Sequence, residues 1–189
     1  DLVGFKTTHG RLSLEGVVPL ALKFDTIGPL CRSVEDAALL TAALEGSKAP
    51  DLRGASLKGR RLAIVETVLM EDLRDAPKAA FALAVAKLEA AGAIIEVIEV
   101  PAVQQALDVS GMLITCEAYG LWMDVIEAAP DKMYEEILRR FRLGRDCLGS
   151  EYVASWATLD VARQAYDAST AGYDAVISPS SAIMPPNLK

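Results

Sequence analysis

Two charged side chains seven residues apart, Asp25 and Arg32, could form an ion pair in this sequence. They enclose Gly28 and Pro29 in the pattern Asp-Thr-x-Gly-Pro-x-x-Arg. A buried carboxylate is costly unless it is paired, and the guanidinium fork of Arg32 is the nearest obvious partner for Asp25. Because seven residues across a turn do not fix the geometry, the sequence leaves this pairing open.

A catalytic triad made of the chain's own residues is not predicted. The sequence has one histidine, His9, and Thr7 and Thr8 precede it. Direct neighbours in an extended segment do not converge on one reacting atom, which a nucleophile and its base must do. Glycine-rich phosphate loops of the Gly-x-Gly-x-x-Gly or Gly-Lys-Ser/Thr type do not occur in the sequence either.

The cysteine content indicates a reducing compartment. Cys31, Cys116 and Cys147 are odd in number and far apart, which is not typical of a disulfide framework. We therefore expect a cytoplasmic protein. One histidine and three scattered cysteines also offer no ligand spacing for a metal, so no metal site is expected.

The charge balance argues against nucleic acid and anionic membranes as partners. The net charge is −7, and phosphate neutralisation needs a clustered positive field. The exception is a local arginine cluster formed by Arg139, Arg140, Arg142 and Arg145. With Glu135 and Glu136 beside it, this cluster is typical of a solvated helix face. No uninterrupted apolar run of about 18 residues occurs, so no membrane span is predicted.

The spacing of apolar residues and the positions of Gly and Pro predict an α/β architecture. Residues 1–32 lack helical periodicity and are rich in Gly and Pro, which favours short extended pieces and turns. A helix is predicted from Ser33, its N-cap, with Asp36 in the capping-box position, to Gly46.

A strand, helix and strand pattern follows at 62–65, 77–91 and 94–100. Such a unit forms a right-handed crossover between parallel strands, and both strands are apolar enough to be covered on each face. Helices are predicted at 103–127, 131–145 and 151–171, with a break at Pro130, and a buried strand is predicted at 174–178. The expected fold is a mixed sheet covered by helices.

The stretch from Val3 to Asp36 carries a resemblance to a known family. It opens Val-Gly-Phe-Lys-Thr-Thr-His-Gly-Arg-Leu-Ser and closes Phe-Asp-Thr-Ile-Gly-Pro-Leu-Cys-Arg-Ser-Val-Glu-Asp, which resembles amidase-signature enzymes. Later landmarks are also similar to that family: Lys-Gly-Arg-Arg-Leu-Ala-Ile at 58–64, Glu117-Ala118, and Tyr-Asp-Ala-Val-Ile-Ser-Pro at 173–179. The resemblance covers nearly the whole chain.

The resemblance implies hydrolysis of a carboxylic amide through a serine acyl-enzyme, without a cofactor. In the family a nucleophilic serine, a helper serine and a lysine lie upstream of the matching stretch, so no catalytic residue is expected on this chain. Residues 1–189 would form part of a single domain that is incomplete at both ends. In it, 1–46 would be the core segment after the nucleophile region and 58–189 the α/β portion.

Only supporting roles carry over to these residues by resemblance. The residues expected to pack beside the catalytic loop are Asp25, Gly28, Pro29 and Arg32. The residues expected to line the substrate pocket are Glu117, Tyr119, Trp122, Arg140 and Ser180. Arg140 lies near where some members read a substrate carboxylate, although a plain helix-surface salt bridge is the alternative.

The implied partners are a small-molecule amide, the missing N-terminal portion of the same protein and a second copy in a homodimer. Two alternatives stay open: a protein like the A subunit of an amidotransferase, which needs partner subunits, and a non-catalytic fragment that acts as a structural or binding module. Without its other half, this piece is expected to expose apolar surface and strand edges and to self-associate.

Overall fold

The structure is a computed structural model that describes residues 2–68 and 70–185. Its elements are β1 (Val3–Gly4), β2 (Leu30–Cys31), α1 (Val34–Glu45), β3 (Arg61–Glu66), α2 (Asp75–Ala90), β4 (Ile94–Glu99), α3 (Ala102–Ala128), a 3-10 turn (Pro130–Lys132), α4 (Glu135–Arg142), α5 (Gly149–Thr170) and β5 (Ala175–Ile177). The α/β class predicted from the sequence is confirmed.

The chain divides into two compact units. The first unit joins the residues up to Ala55 to Gly111–Tyr152, and the second joins Ser56–Ser110 to the residues from Val153 onward. Helices α3 and α5 each begin in one unit and end in the other. Each unit therefore contains segments that are distant in sequence.

In the first unit, helix α1 begins and ends as its sequence predicts. The Ser33 hydroxyl accepts a hydrogen bond from the backbone N–H of Asp36 at 3.0 Å, which satisfies a donor that the helix leaves unpaired. Gly46 ends the helix in the left-handed conformation, with φ 66°. The preceding residues form turns and one short antiparallel pair, β1 with β2, as expected.

The second unit contains a three-stranded parallel sheet in the order β4-β3-β5. Ala63 of β3 lies between Glu96 of β4 and Val176 of β5. The predicted β-α-β unit is confirmed, and four successive residues of the central strand are buried. Full burial was wrong for β4 and β5, because each is an edge strand of this sheet and stays partly exposed.

The second unit packs around a small apolar cluster. Its buried members are Val65, Val100, Ala102 and Ala162, and Tyr166 is among the half-buried residues that pack on them. They come from β3, the residue after β4, the start of α3, and α5, so helices cover one face of the sheet. Burial of this apolar surface is the main force that holds these elements together.

The break predicted at Pro130 is confirmed, but α4 is shorter than the 131–145 expected from the sequence. Pro130 opens a 3-10 turn, and Met133 and Tyr134 are extended before the helix begins at Glu135. Helix α4 ends at Arg142, two residues before Gly144. Gly144 lies so close to α3 that a Cβ atom there would be 2.0 Å from the carbonyl oxygen of Thr115.

One helix among the described residues, α3, is long and apolar enough to cross a membrane by length and composition alone. It has 27 residues and a mean hydropathy of 1.2 over its most apolar window. The prediction of no membrane span rests on the absence of an uninterrupted apolar run, and α3 is interrupted by Asp108, Glu117, Asp124 and Glu127. Core helices of soluble proteins pass the same test, so it is weak evidence for a span.

The expectation that the cysteines stay unpaired is also corrected. Cys116 of α3 and Cys147 form a disulfide, with their Cα atoms 6.3 Å apart, whereas Cys31 is free and buried. The two partners are 31 positions apart in sequence. Spacing does not reveal the pairing, because only the packing of the turn before α5 against α3 brings the two backbones together.

Candidate functional site

The Asp25 carboxylate closes a turn of its own chain. It accepts the backbone N–H of Leu20 at 2.9 Å and that of Ala21 at 3.2 Å. In addition, the N–H groups of Phe24 and Asp25 donate to the Ala21 carbonyl, both at 2.8 Å. The carboxylate is thus satisfied by backbone donors four and five residues before it.

The Asp25–Arg32 pair left open by the sequence does not form. Arg32 is exposed, and within the described part of the chain it makes no ion pair with Asp25. The turn at 20–25 places rigid backbone N–H donors next to the Asp25 carboxylate. The carboxylate therefore does not need the flexible guanidinium of Arg32 as a partner.

Helix α3 holds the loop at 19–25 through two hydrogen bonds. The indole N–H of Trp122 donates to the Pro19 carbonyl at 2.7 Å, and the Glu117 carboxylate accepts the backbone N–H of Lys23 at 3.1 Å. On the other side, a ring nitrogen of His9 lies 2.9 Å from the Leu22 carbonyl oxygen. Two of the residues predicted for a substrate pocket therefore hold the loop that Asp25 closes.

Tyr152 is a site residue that sequence reasoning missed. Its hydroxyl donates to the second oxygen of Glu117 at 2.8 Å, and the Lys23 ammonium lies 5.7 Å from the centre of its ring. Glu117 thus joins α3, the loop and the first turn of α5. No local signal could reveal this, since Tyr152 is one of five tyrosines and precedes an ordinary helical stretch.

Gly28 is required by close approach of two backbones. A Cβ atom there would lie 1.8 Å from the carbonyl oxygen of Phe5. The Phe5 N–H donates to the Pro29 carbonyl at 3.0 Å, and the buried Thr7 hydroxyl donates to the Ile27 carbonyl at 2.7 Å. These contacts hold Gly28 and Pro29 against the segment that contains Phe5 and Thr7.

Tyr119 belongs to a second polar group on α3. Arg142 donates to both carboxylate oxygens of Glu127, at 3.0 and 2.7 Å, and this holds the pKa of Glu127 below its usual range. The Tyr119 hydroxyl donates to Glu127 at 3.3 Å, and burial, followed by the nearby negative charge, raises the pKa of Tyr119. This group ties α3 to the end of α4.

Arg140, the candidate carboxylate reader, is exposed on α4 and makes no ion pair within the residues that the structure describes. Its neighbours behave differently: Arg139 pairs with Glu136 at 3.2 Å, and Arg142 pairs with Glu127. The solvated helix face predicted for this cluster is confirmed at Arg139. The salt-bridge alternative for Arg140 is not observed.

Two of the predicted pocket residues, Glu117 and Tyr119, line a cavity of about 330 Å³. It is lined by Cys116, Glu117, Tyr119, Gly120, Gly144, Cys147, Leu148, Gly149 and Tyr152. An apolar groove of about 580 Å³ lies elsewhere in the first unit, between the opening strand and α1, and contains none of the predicted residues. The smaller cavity is the candidate site, because it is lined by predicted pocket residues and its carboxylate and two hydroxyls can orient a polar ligand.

Ser180 belongs to the second unit. It is exposed on the loop after β5, and that loop is tethered by the N–H of Arg74, which donates to the Ala182 carbonyl at 3.0 Å. The other predicted residues all belong to the first unit. As for metals, the described ranges contain no group of three or more His, Cys, Asp or Glu side chains placed to hold one.

Comparison with known proteins places the chain in a family. The Amidase family model matches residues 1–189, and the chain belongs to this family. The A subunit of the glutamyl-tRNA(Gln) amidotransferase of Exiguobacterium sibiricum is 27% identical over 216 residues, which cover 95% of this chain and 45% of that protein. The chain thus spans less than half the length of this curated relative.

Solved structures agree on the fold. The crystal structure of an amidase matches 99% of this chain and 42% of its own, with 26% identity and a TM-score of 0.89. The A subunit of the glutamyl-tRNA(Gln) amidotransferase of Thermotoga maritima matches 96% of this chain and 42% of its own, with a TM-score of 0.67. At 23% identity, the second likeness is evidence of the fold alone.

Proposed function

We propose that this chain is the C-terminal-side portion of an enzyme that cleaves a carboxylic amide through a serine acyl-enzyme. The observation that carries the proposal is the family match over all 189 residues. The nucleophilic serine, its helper serine and the lysine would lie on a segment N-terminal to residue 1. Water would then release the acid, and no cofactor takes part.

The residues of this chain would provide a rigid support for that segment. A serine nucleophile and its oxyanion donors must be held to a fraction of an ångström, which requires fixed neighbours. The loop at 19–25 is held by Asp25 from within and by Glu117 and Trp122 from α3. Gly28 brings the next residues against the backbone of Phe5. These contacts are of the kind that such positioning needs.

The cavity beside Glu117 supports a small polar amide as substrate. The Glu117 carboxylate and the hydroxyls of Tyr119 and Tyr152 are hydrogen-bonded to protein groups, so their orientations are set before a ligand binds. We further propose that Arg140, exposed and without an ionic partner among the described residues, pairs with a substrate carboxylate.

A second candidate function is that of one component of an amidotransferase. The names of the curated relatives favour it, since several are the A subunit of a glutamyl-tRNA(Gln) amidotransferase. Such a protein would release ammonia from glutamine and pass it to partner subunits. Since these relatives are bacterial proteins, we propose a cytoplasmic location for either function.

The experiment is labelling of the full-length protein with a fluorophosphonate probe, with intact mass and peptide mapping. Attachment at one serine N-terminal to residue 1, abolished by replacing that serine with alanine, would support the amidase. Glutamine hydrolysis that rises only when partner subunits are added would favour the amidotransferase. Absence of labelling in a folded full-length protein would overturn both and leave a structural or binding module.

A further inference from the structure

Three sulfur atoms meet on one side of α3. The Met112 Sδ atom lies 3.4 Å from the Sγ of Cys116 and 3.4 Å from the Sγ of Cys147. Met112 and Cys116 are one helical turn apart on α3, and Cys147 lies on the turn before α5. All three side chains are half-buried, and both cysteines line the cavity of about 330 Å³, so the cluster is reachable from solvent.

The backbones that carry these sulfurs are held by contacts other than the disulfide. Gly144 is buried directly against α3, where only a residue without Cβ fits beside the Thr115 carbonyl. The N–H of Gly144 donates to the Phe141 carbonyl at 3.0 Å, and the N–H of Leu148 donates to the Glu151 carboxylate at 3.2 Å. When the disulfide is reduced, the two thiols and the thioether should therefore stay together.

We propose that, with Cys116 and Cys147 reduced, these two thiolates and the Met112 thioether bind one Cu(I) ion. Both thiols release a proton as the two Cu–S bonds form, and the thioether donates a lone pair, so no electron is transferred. The disulfide and the metal complex are thus alternative states of one site. This proposal does not depend on the proposed amide chemistry.

The ligand set decides the metal. Soft thiolate and thioether sulfurs select Cu(I), whereas zinc prefers four ligands from thiolate, imidazole and carboxylate. Metal–sulfur bonds of about 2.3 Å join sulfurs up to about 4 Å apart, so Met112 is already within range. The two Sγ atoms must move from bonding distance to about 4 Å apart, which rotation of the reduced cysteine side chains allows with their Cα atoms 6.3 Å apart.

The test measures Cu(I) retention by the full-length protein, reduced with a phosphine under argon, against the chelator bicinchoninate. We expect the reduced protein to retain one more equivalent of Cu(I) than the Cys147→Ser variant. In that variant the affinity of this site for Cu(I) should fall at least about 100-fold. Met112→Leu, which keeps the volume, should weaken binding about 10-fold. The oxidised protein should not retain the ion.

Cys31→Ser is the matched control, since Cys31 is buried away from this cluster and free. Circular dichroism of each variant establishes that it is folded. Equal retention by the reduced protein and Cys147→Ser, or a loss in Cys31→Ser of the same size, would overturn the site. Retention by Met112→Leu equal to that of the parent would overturn the role of the thioether, and zinc held as firmly as Cu(I) would overturn the choice of metal.

Discussion

The Glu117 carboxylate accepts the Tyr152 hydroxyl at 2.8 Å with one oxygen and the Lys23 N–H at 3.1 Å with the other. Glu117→Gln should lower the free energy of unfolding by about 1–3 kcal/mol, because the amide nitrogen would face a donor and one partner would be left unsatisfied. Urea denaturation measures the loss.

Tyr152→Phe provides the matched change, since it removes only the hydroxyl. Alone it should cost about 1 kcal/mol, and combined with Glu117→Gln it should cost less than the sum of the two. Additive losses in this double-mutant cycle would mean that the two groups are not coupled.

Gly28→Ala should destabilise the protein by about 3 kcal/mol or prevent folding, since the new methyl group would collide with a backbone carbonyl rather than a movable side chain. Gly111→Ala is the control. Gly111 lies inside α3 with nothing within 4 Å of where the new methyl group would lie, so alanine there should stabilise the protein by about 0.5–1 kcal/mol. Thermal denaturation of both variants checks the prediction, and equal effects would contradict it.

The Glu127–Arg142 pair should make stability fall in acid. Hydrogen bonds from Arg142 hold the pKa of Glu127 below its unfolded value. The stabilising contribution is therefore present above the unfolded pKa and lost as the pH drops through the folded pKa. Arg142→Gln should lower the melting temperature at neutral pH and flatten its decline between about pH 5 and pH 2. An unchanged acid slope would show that the pair contributes nothing.

Arg140→Lys should raise the KM for amides that carry a carboxylate by about tenfold and leave neutral amides unaffected, because lysine cannot form the two-pronged contact. Arg139→Lys serves as the control, since Arg139 already pairs with Glu136. Steady-state kinetics of the full-length enzyme measures both. A rise in KM for both classes of substrate would point to a structural role instead.

Local chemistry made much of this fold predictable. Ser33 and Gly46 mark the ends of α1 because capping depends on neighbouring backbone groups. The apolar run at 62–65 predicted a buried strand, since removal of apolar side chains from water is favourable. The family resemblance rested on the specific pattern around Gly28 and Pro29, and the whole-chain match confirmed it.

The pairings over long sequence separations were decided by the tertiary structure. Glu117 meets Lys23, and Cys116 meets Cys147, only because segments distant in sequence pack side by side. Asp25 instead accepts hydrogen bonds from backbone N–H groups close by in sequence. The sequence could not distinguish these donors from Arg32, since the geometry of the turn determines which donors lie within reach of the carboxylate. Short-range propensity thus determined the elements, and packing determined which side chains share a site.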